Sequence, residues 1–144
     1  MKTVGQMLHA KGYDSWTLDP DSTVYDALEL MAQKNVGALL VVREKRLIGI
    51  FSERDYARKV ILKGKHSKDT LIRDVMTERP KCVDPTRTIE ECMALMTDSH
   101  IRHLPVLDGE ALLGVISIGD VVKAIIMEQQ GTISDLENYI TGKR

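Results

Sequence analysis

The chain repeats itself. When Asp19-Pro20 is laid on Asp84-Pro85, 65 residues further on, Asp19 to Leu62 aligns with Asp84 to Met127 without a gap. Thr23 meets Thr88, Met31 meets Met96, Leu39 meets Leu104, Val41 meets Val106 and Leu47 meets Leu112. The alignment also sets Gly49-x-x-Ser52-x-x-Asp55 against Gly114-x-x-Ser117-x-x-Asp120. Two copies with so long a period are not small solenoid repeats. In a chain of 144 residues they fit two related subunits of structure sharing one body. The expected organisation is a first unit over 1–62, a linker over 63–71, a second unit over 72–130 and a C-terminal helix or tail over 131–144.

Each copy carries the same local signals. Val24, Ala27, Leu28 and Met31 fall at i, i+3, i+4 and i+7, one face of a helix, and Ile89, Cys92, Met93 and Met96 repeat the pattern. Thr23-x-x-Asp26 and Thr88-x-x-Glu91 have the form of capping boxes. Cys92 thereby falls on a core face, as a structural thiol rather than a nucleophile. Next come two short apolar runs around a polar turn: 36–42 with 47–52, and 101–107 with 112–117 about Asp108-Gly109. Each pair reads as a β-hairpin. A second helix follows each hairpin, and Gly131 is expected to stop the later one. With the extended pieces 16–18 and 81–83 in front, each unit reads strand-helix-strand-strand-helix. The fold class is α+β, an α/β-type sandwich of small sheets flanked by helices, with the units related by a pseudo-twofold. The tail carries Ile133, Leu136 and Ile140 on one face and ends at Gly142. It reads as a short amphipathic helix that docks on the body or on a second subunit.

Composition removes several function classes. The balance of 20 basic and 21 acidic side chains gives no broad field for nucleic acid or anionic lipid. The basic linker Lys63, Lys65, His66, Lys68 has no interleaved aromatic for base stacking. No apolar run is long enough to span a bilayer, and the N-terminal stretch lacks a signal-peptide core, so a cytoplasmic location is expected. Cys82 and Cys92 form neither a C-x-x-C pair nor a disulfide framework. His100 and His103, in HIRH, read as a polar strand start rather than zinc ligands. The Gly-Lys of the linker lacks the other elements of a P-loop. No Ser/His/Asp or Cys/His arrangement has a supporting context, so no catalytic residues are assigned and the chain is read as a non-enzyme.

Taken alone, Gly-x-x-Ser-x-x-Asp is a serine N-cap with a carboxylate three residues on. The paired units, each closed by that motif, resemble a tandem pair of CBS domains, a Bateman module, over nearly the whole chain. Val4 to Leu8 and Ile72 to Met76 correspond to the short lead-in of such domains. The resemblance implies a free-standing regulatory module that takes an adenosine-containing ligand (AMP, ATP or NAD) in the cleft between the halves. It also implies association into homodimers and an effector protein still to be identified.

Carried onto this sequence, the resemblance implies the following site. Asp55 and Asp120 accept hydrogen bonds from a ribose diol, beside Ser52 and Ser117. The adenine edge is read by 16–18 with 36–38, which includes Thr17, Leu18, Val36, Gly37 and Ala38. In the second half it is read by Lys81, Cys82 and Val83 with Arg102, His103, Leu104 and Pro105. Arg54 or Arg58, with Arg102 and His103, line the phosphate region, since an arginine fork grips phosphate in two places. Lys59 is read as part of a solvated helix face. Gly119 permits close approach of a ligand. The first half reads GALLV where the second reads RHLPV, so the two sites are not expected to fill equally. The competing reading is a dimerisation scaffold whose pockets have no ligand.

Overall fold

A computed structural model describes residues 2–141. The first half holds α1 (Val4–Lys11), β1 (Thr17–Leu18), α2 (Val24–Lys34), β2 (Ala38–Arg43), β3 (Arg46–Ser52) and the short α3 (Glu53–Asp55). The second holds α4 (Ile72–Val75), β4 (Thr77–Glu78), α5 (Ile89–Ser99), β5 (His103–Asp108), β6 (Ala111–Ser117) and α6 (Ile118–Thr141). The α+β class and the paired units agree with the sequence expectation. Both capping boxes form, with Thr23 and Thr88 hydroxyls accepting from the amides of Asp26 and Glu91.

Both hairpins are present, β2 with β3 and β5 with β6. The first turns on Glu44 and Lys45, both left-handed at φ 51° and 66°. That is the backbone a tight hairpin needs, reached here without glycine. Gly109 supplies the left-handed residue in the second turn, at φ 62°. The sheets are unequal. One has four strands in the order β1-β2-β3-β4, the other only β5 and β6. The extended piece 81–83 shrinks to one parallel bridge, Val83 to Val106, because the chain turns at once around Asp84, whose carboxylate accepts from the Thr86 amide.

Two expectations about helices change. The helix after β3 is α only through Asp55 and continues as π-helix over Tyr56–Ile61. Gly131 does not stop α6, which runs unbroken to Thr141. No Cβ is missed there, since open space surrounds Gly131, and a glycine inside a helix costs only about 1 kcal/mol. Ile133, Leu136 and Ile140 are therefore on the end of a long helix rather than a separate short one. They are exposed and do not pack on the body. Gly142 lies outside the described residues.

The lead-in segments cross over. Val4, Met7 and Leu8 of α1 are buried with Ile89, Cys92, Met96, Leu104 and Ile116, the core of the second half. Ile72 and Val75 of α4 are buried with Val24, Ala27, Leu39 and Phe51, the core of the first. The same backbone bonds fix both exchanges. Val4 N–H donates to Arg87 O and Gly5 N–H to Pro85 O, while Ile72 N–H donates to Ser22 O and Arg73 N–H to Pro20 O. Each lead-in thus docks on the loop before the capping box of the other half.

Candidate functional site

The two Gly-x-x-Ser-x-x-Asp motifs end β3 and β6 and begin the helices that follow. At the first, Ser52 Oγ accepts from the Asp55 amide at 3.3 Å, and Asp55 Oδ2 accepts from the Ser52 amide at 2.9 Å. Oδ1 accepts from Thr77 Oγ1 at 2.8 Å and pairs with Lys59 Nζ at 3.0 Å. Asp55 is buried, and both carboxylate oxygens are engaged. Lys59 is therefore not the solvated side chain expected; one turn beyond Asp55, it is drawn in by the buried carboxylate and also meets Met76 O at 3.4 Å.

The second motif is built differently. The Ser117 amide donates to Asp120 Oδ2 at 2.8 Å, and Ser117 Oγ accepts from the Asp120 amide at 3.1 Å. Lys11, from the exchanged α1, places Nζ 2.7 Å from Asp120 Oδ2 and 2.7 Å from Val115 O. Among the described residues the hydrogen bonds to this carboxylate fall on Oδ2, and Oδ1 has no partner. Burial raises the Asp120 pKa, but the Lys11 and Ser117 bonds together outweigh it and hold the group below the ordinary carboxylate value. It is an anion at neutral pH.

A cleft of about 850 Å³ lies between the halves. It brings together nine expected residues: Gly37, Ser52, Arg54, Asp55, Arg58, Lys81, Arg102, His103 and Ser117. It also brings in Lys59, Thr77 and Arg79, which the sequence reading left out of the site. Six lysine and arginine side chains (Arg54, Arg58, Lys59, Arg79, Lys81 and Arg102) share its wall with the acids Glu53 and Asp55. Arg54 reaches across from the first half and donates to the His100 carbonyl of the second. That carbonyl is presented by a left-handed His100, at φ 55°, where α5 ends. Burial pushes the His103 pKa below the ordinary histidine value; Asp120 and Glu53 oppose this, and Lys11 and Arg102 add to it.

The remaining expected residues lie elsewhere. Thr17 and Leu18 form β1 beside Leu40 and Val41, and Val36 packs on the first core. Ala38 opens β2 opposite Ser52. Leu104 and Pro105 are buried in β5, and Gly119 is exposed at the start of α6. Asp120 is bonded to Ser117 but is not itself on the wall of the cleft. Cys82 and Val83 line a separate groove of about 520 Å³ with Lys81, Arg87 and Glu91. Burial raises the thiol pKa of Cys82, and that of the fully buried Cys92 to about 11. Cys92 is a protonated core side chain, as its helical position suggested.

The profile of the CBS domain matches this chain twice, over residues 11–62 and 72–127. The chain belongs to the CBS-domain family and carries two CBS domains in tandem. It is 43% identical to the mitochondrial CBS domain-containing protein CBSX3 of Arabidopsis thaliana, over 97% of this chain and 72% of that one. The CBS domain-containing protein YhcV of Bacillus subtilis is 34% identical, over 72% of this chain and 74% of its own length. A solved CBS-domain structure from Burkholderia ambifaria is 50% identical and superposes with a TM-score of 0.85, covering 89% of this chain and 96% of that one. No helix among the described residues is long and apolar enough to cross a membrane.

Proposed function

We infer that the module senses an adenosine nucleotide, AMP, ATP or NAD, held in the cleft between its halves. One observation carries this reading: a cleft with six lysine and arginine side chains on its wall is also lined by Ser117, and the Asp120 carboxylate bonded to Ser117 keeps one oxygen without a hydrogen bond among the described residues. The cations suit phosphate, and the unpartnered Oδ1 suits a ribose hydroxyl. Hydrogen bonds to a charged acceptor contribute about 1.5–3 kcal/mol each. The volume is within the usual range of small-molecule sites. Asp55 is already held by Lys59 and Thr77, so the second half is the competent one and the expected inequality of the sites takes this direction.

The module acts without catalysis, as a homodimer in the cytoplasm, and passes a ligand-dependent change of shape to an effector protein. Such a switch requires the nucleotide to bind one shape better than the other. The closed state of Asp55 favours the scaffold reading for the first half alone. Calorimetric titration of nucleotide-stripped protein with AMP, ATP and NADH tests the proposal. The expected result is a dissociation constant near micromolar, about −8 kcal/mol, weakened by Asp120→Ala. Asp55→Ala should affect it less. No heat with any of the three ligands, from folded protein, overturns the sensor reading in favour of the scaffold.

A further inference from the structure

The distal part of α6 has no partner among the described residues. Its last buried residue is Ala124, and every residue from Ile126 to Thr141 is exposed. At about 1.5 Å per residue this leaves roughly 25 Å of helix beyond the body. A bare helix of that length is marginal in water even when rich in alanine. This one also contains Gly131 and the β-branched Thr132, Ile133 and Ile140, which lower its own propensity.

The exposed residues are patterned. Val122, Ile126, Gln129, Ile133, Leu136 and Ile140 are spaced 4, 3, 4, 3, 4, the alternation of a heptad seam. All six positions are exposed, and the five apolar ones form one stripe. Isoleucine occupies each position of one set, 126, 133 and 140, and Leu136 a position of the other. Gly131 falls on the side away from the seam, where its missing side chain costs no packing.

The flanking charges fix the direction. Lys123 and Glu137 occupy equivalent positions on the same side of the seam, with Gln130 between them. When two copies of α6 lie antiparallel with Gln129 opposite Ile133, Lys123 of each helix faces Glu137 of the other. A parallel pair sets Glu137 against Thr132 and makes no such ion pair.

We propose that α6 pairs antiparallel with α6 of a second copy of this chain, through the seam Val122–Ile140, so that the tail of each protomer lies across the body-held half of the other's helix. This rests on the homodimer reading above and adds its surface and orientation. The test is sedimentation velocity of the full chain, with circular dichroism to monitor helix. Wild-type protein is expected as a dimer, and Ile133→Asp/Leu136→Asp as a folded monomer with reduced helix signal. Lys123→Glu and Glu137→Lys should each weaken the dimer about 10-fold, and their combination should restore it. A dimer that survives Ile133→Asp/Leu136→Asp overturns the seam but leaves the homodimer reading intact. Charge changes that are neutral singly, or not rescued in combination, overturn the antiparallel arrangement. A monomeric wild type at tens of micromolar overturns both.

Discussion

Substituting alanine at the two motif glycines separates the halves sharply. A Cβ on Gly49 meets Met76 Sδ at 2.6 Å, Thr77 O at 2.9 Å and Met76 Cγ at 3.1 Å. The methionine end can swing aside, but the Thr77 carbonyl belongs to β4, which pairs with β3 at Gly49 and Ile50. Relief therefore requires β4 to shift, and overpacking of this kind costs about 1–3 kcal/mol. Against a stability of about 5–15 kcal/mol this is a large fraction. It corresponds to a fall in Tm of roughly 2–4 °C per kcal/mol at this chain size. On Gly114 the nearest atom is Leu8 Cδ2 at 3.3 Å, the mobile end of a side chain. Neither glycine has a left-handed backbone, so both substitutions gain about 0.4–1 kcal/mol from a less flexible unfolded chain, which offsets the mild contact at Gly114 but not the clash at Gly49. Urea unfolding followed by far-ultraviolet circular dichroism should give Gly49→Ala a clear loss and Gly114→Ala almost none. Equal losses, or the reverse order, would refute the view that the close approach of the exchanged lead-in explains the first glycine.

Three further predictions concern charge. A nucleotide phosphate beside His103 favours the imidazolium that burial disfavours. Binding of AMP near pH 6 should take up a proton, seen as a buffer-dependent heat that vanishes in His103→Gln; a heat independent of buffer would count against His103 in the phosphate region. In the free protein the lowered pKa makes stability fall as pH drops below the unfolded value, about 6.5, since the unfolded chain then binds more protons. At the other motif, Lys11→Met removes a partner that lowers the Asp120 pKa. Wild type should exceed the variant by a few tenths to about 1 kcal/mol at pH 7. That margin is present above the unfolded aspartate value, about 3.9, and should close as pH falls through the lowered folded value. A margin unchanged at pH 2 would mean that Lys11 acts through packing rather than charge.

Local structure was legible because its signals are local. The threonine caps, the apolar helix faces and the hairpins are each written within a dozen residues, and the repeat checks one copy against the other. What escaped depends on distance along the chain. Nothing in Val4–Leu8 or Ile72–Met76 says which half each will cover, because the same apolar face fits either core. Lys11 was missed because its carboxylate lies 109 residues away, and Thr77 because Asp55 lies 22 away. Lys59 had a nearby partner at i−4, but a surface ion pair there is too common to mark a site. Glu44 and Lys45 carry no turn signature. Gly131 is a stop signal only where the chain has reason to leave the helix, and the apolar seam beyond it gives reason to continue.

The exchange of α1 and α4 puts the repeat in the sequence out of step with the unit that folds. Residues up to 62 lack the helix that closes their core, and so do residues from 72 onward. The two halves should consequently melt in one transition, and a cut within 63–71 should yield fragments that fold only by complementation. The same offset wires the halves together. A ligand that displaces Lys11 from Asp120 tugs on the first helix of the chain, and one that displaces Thr77 from Asp55 tugs on the first strand after the linker. Occupancy in one half is thereby delivered to a segment that leads into the other.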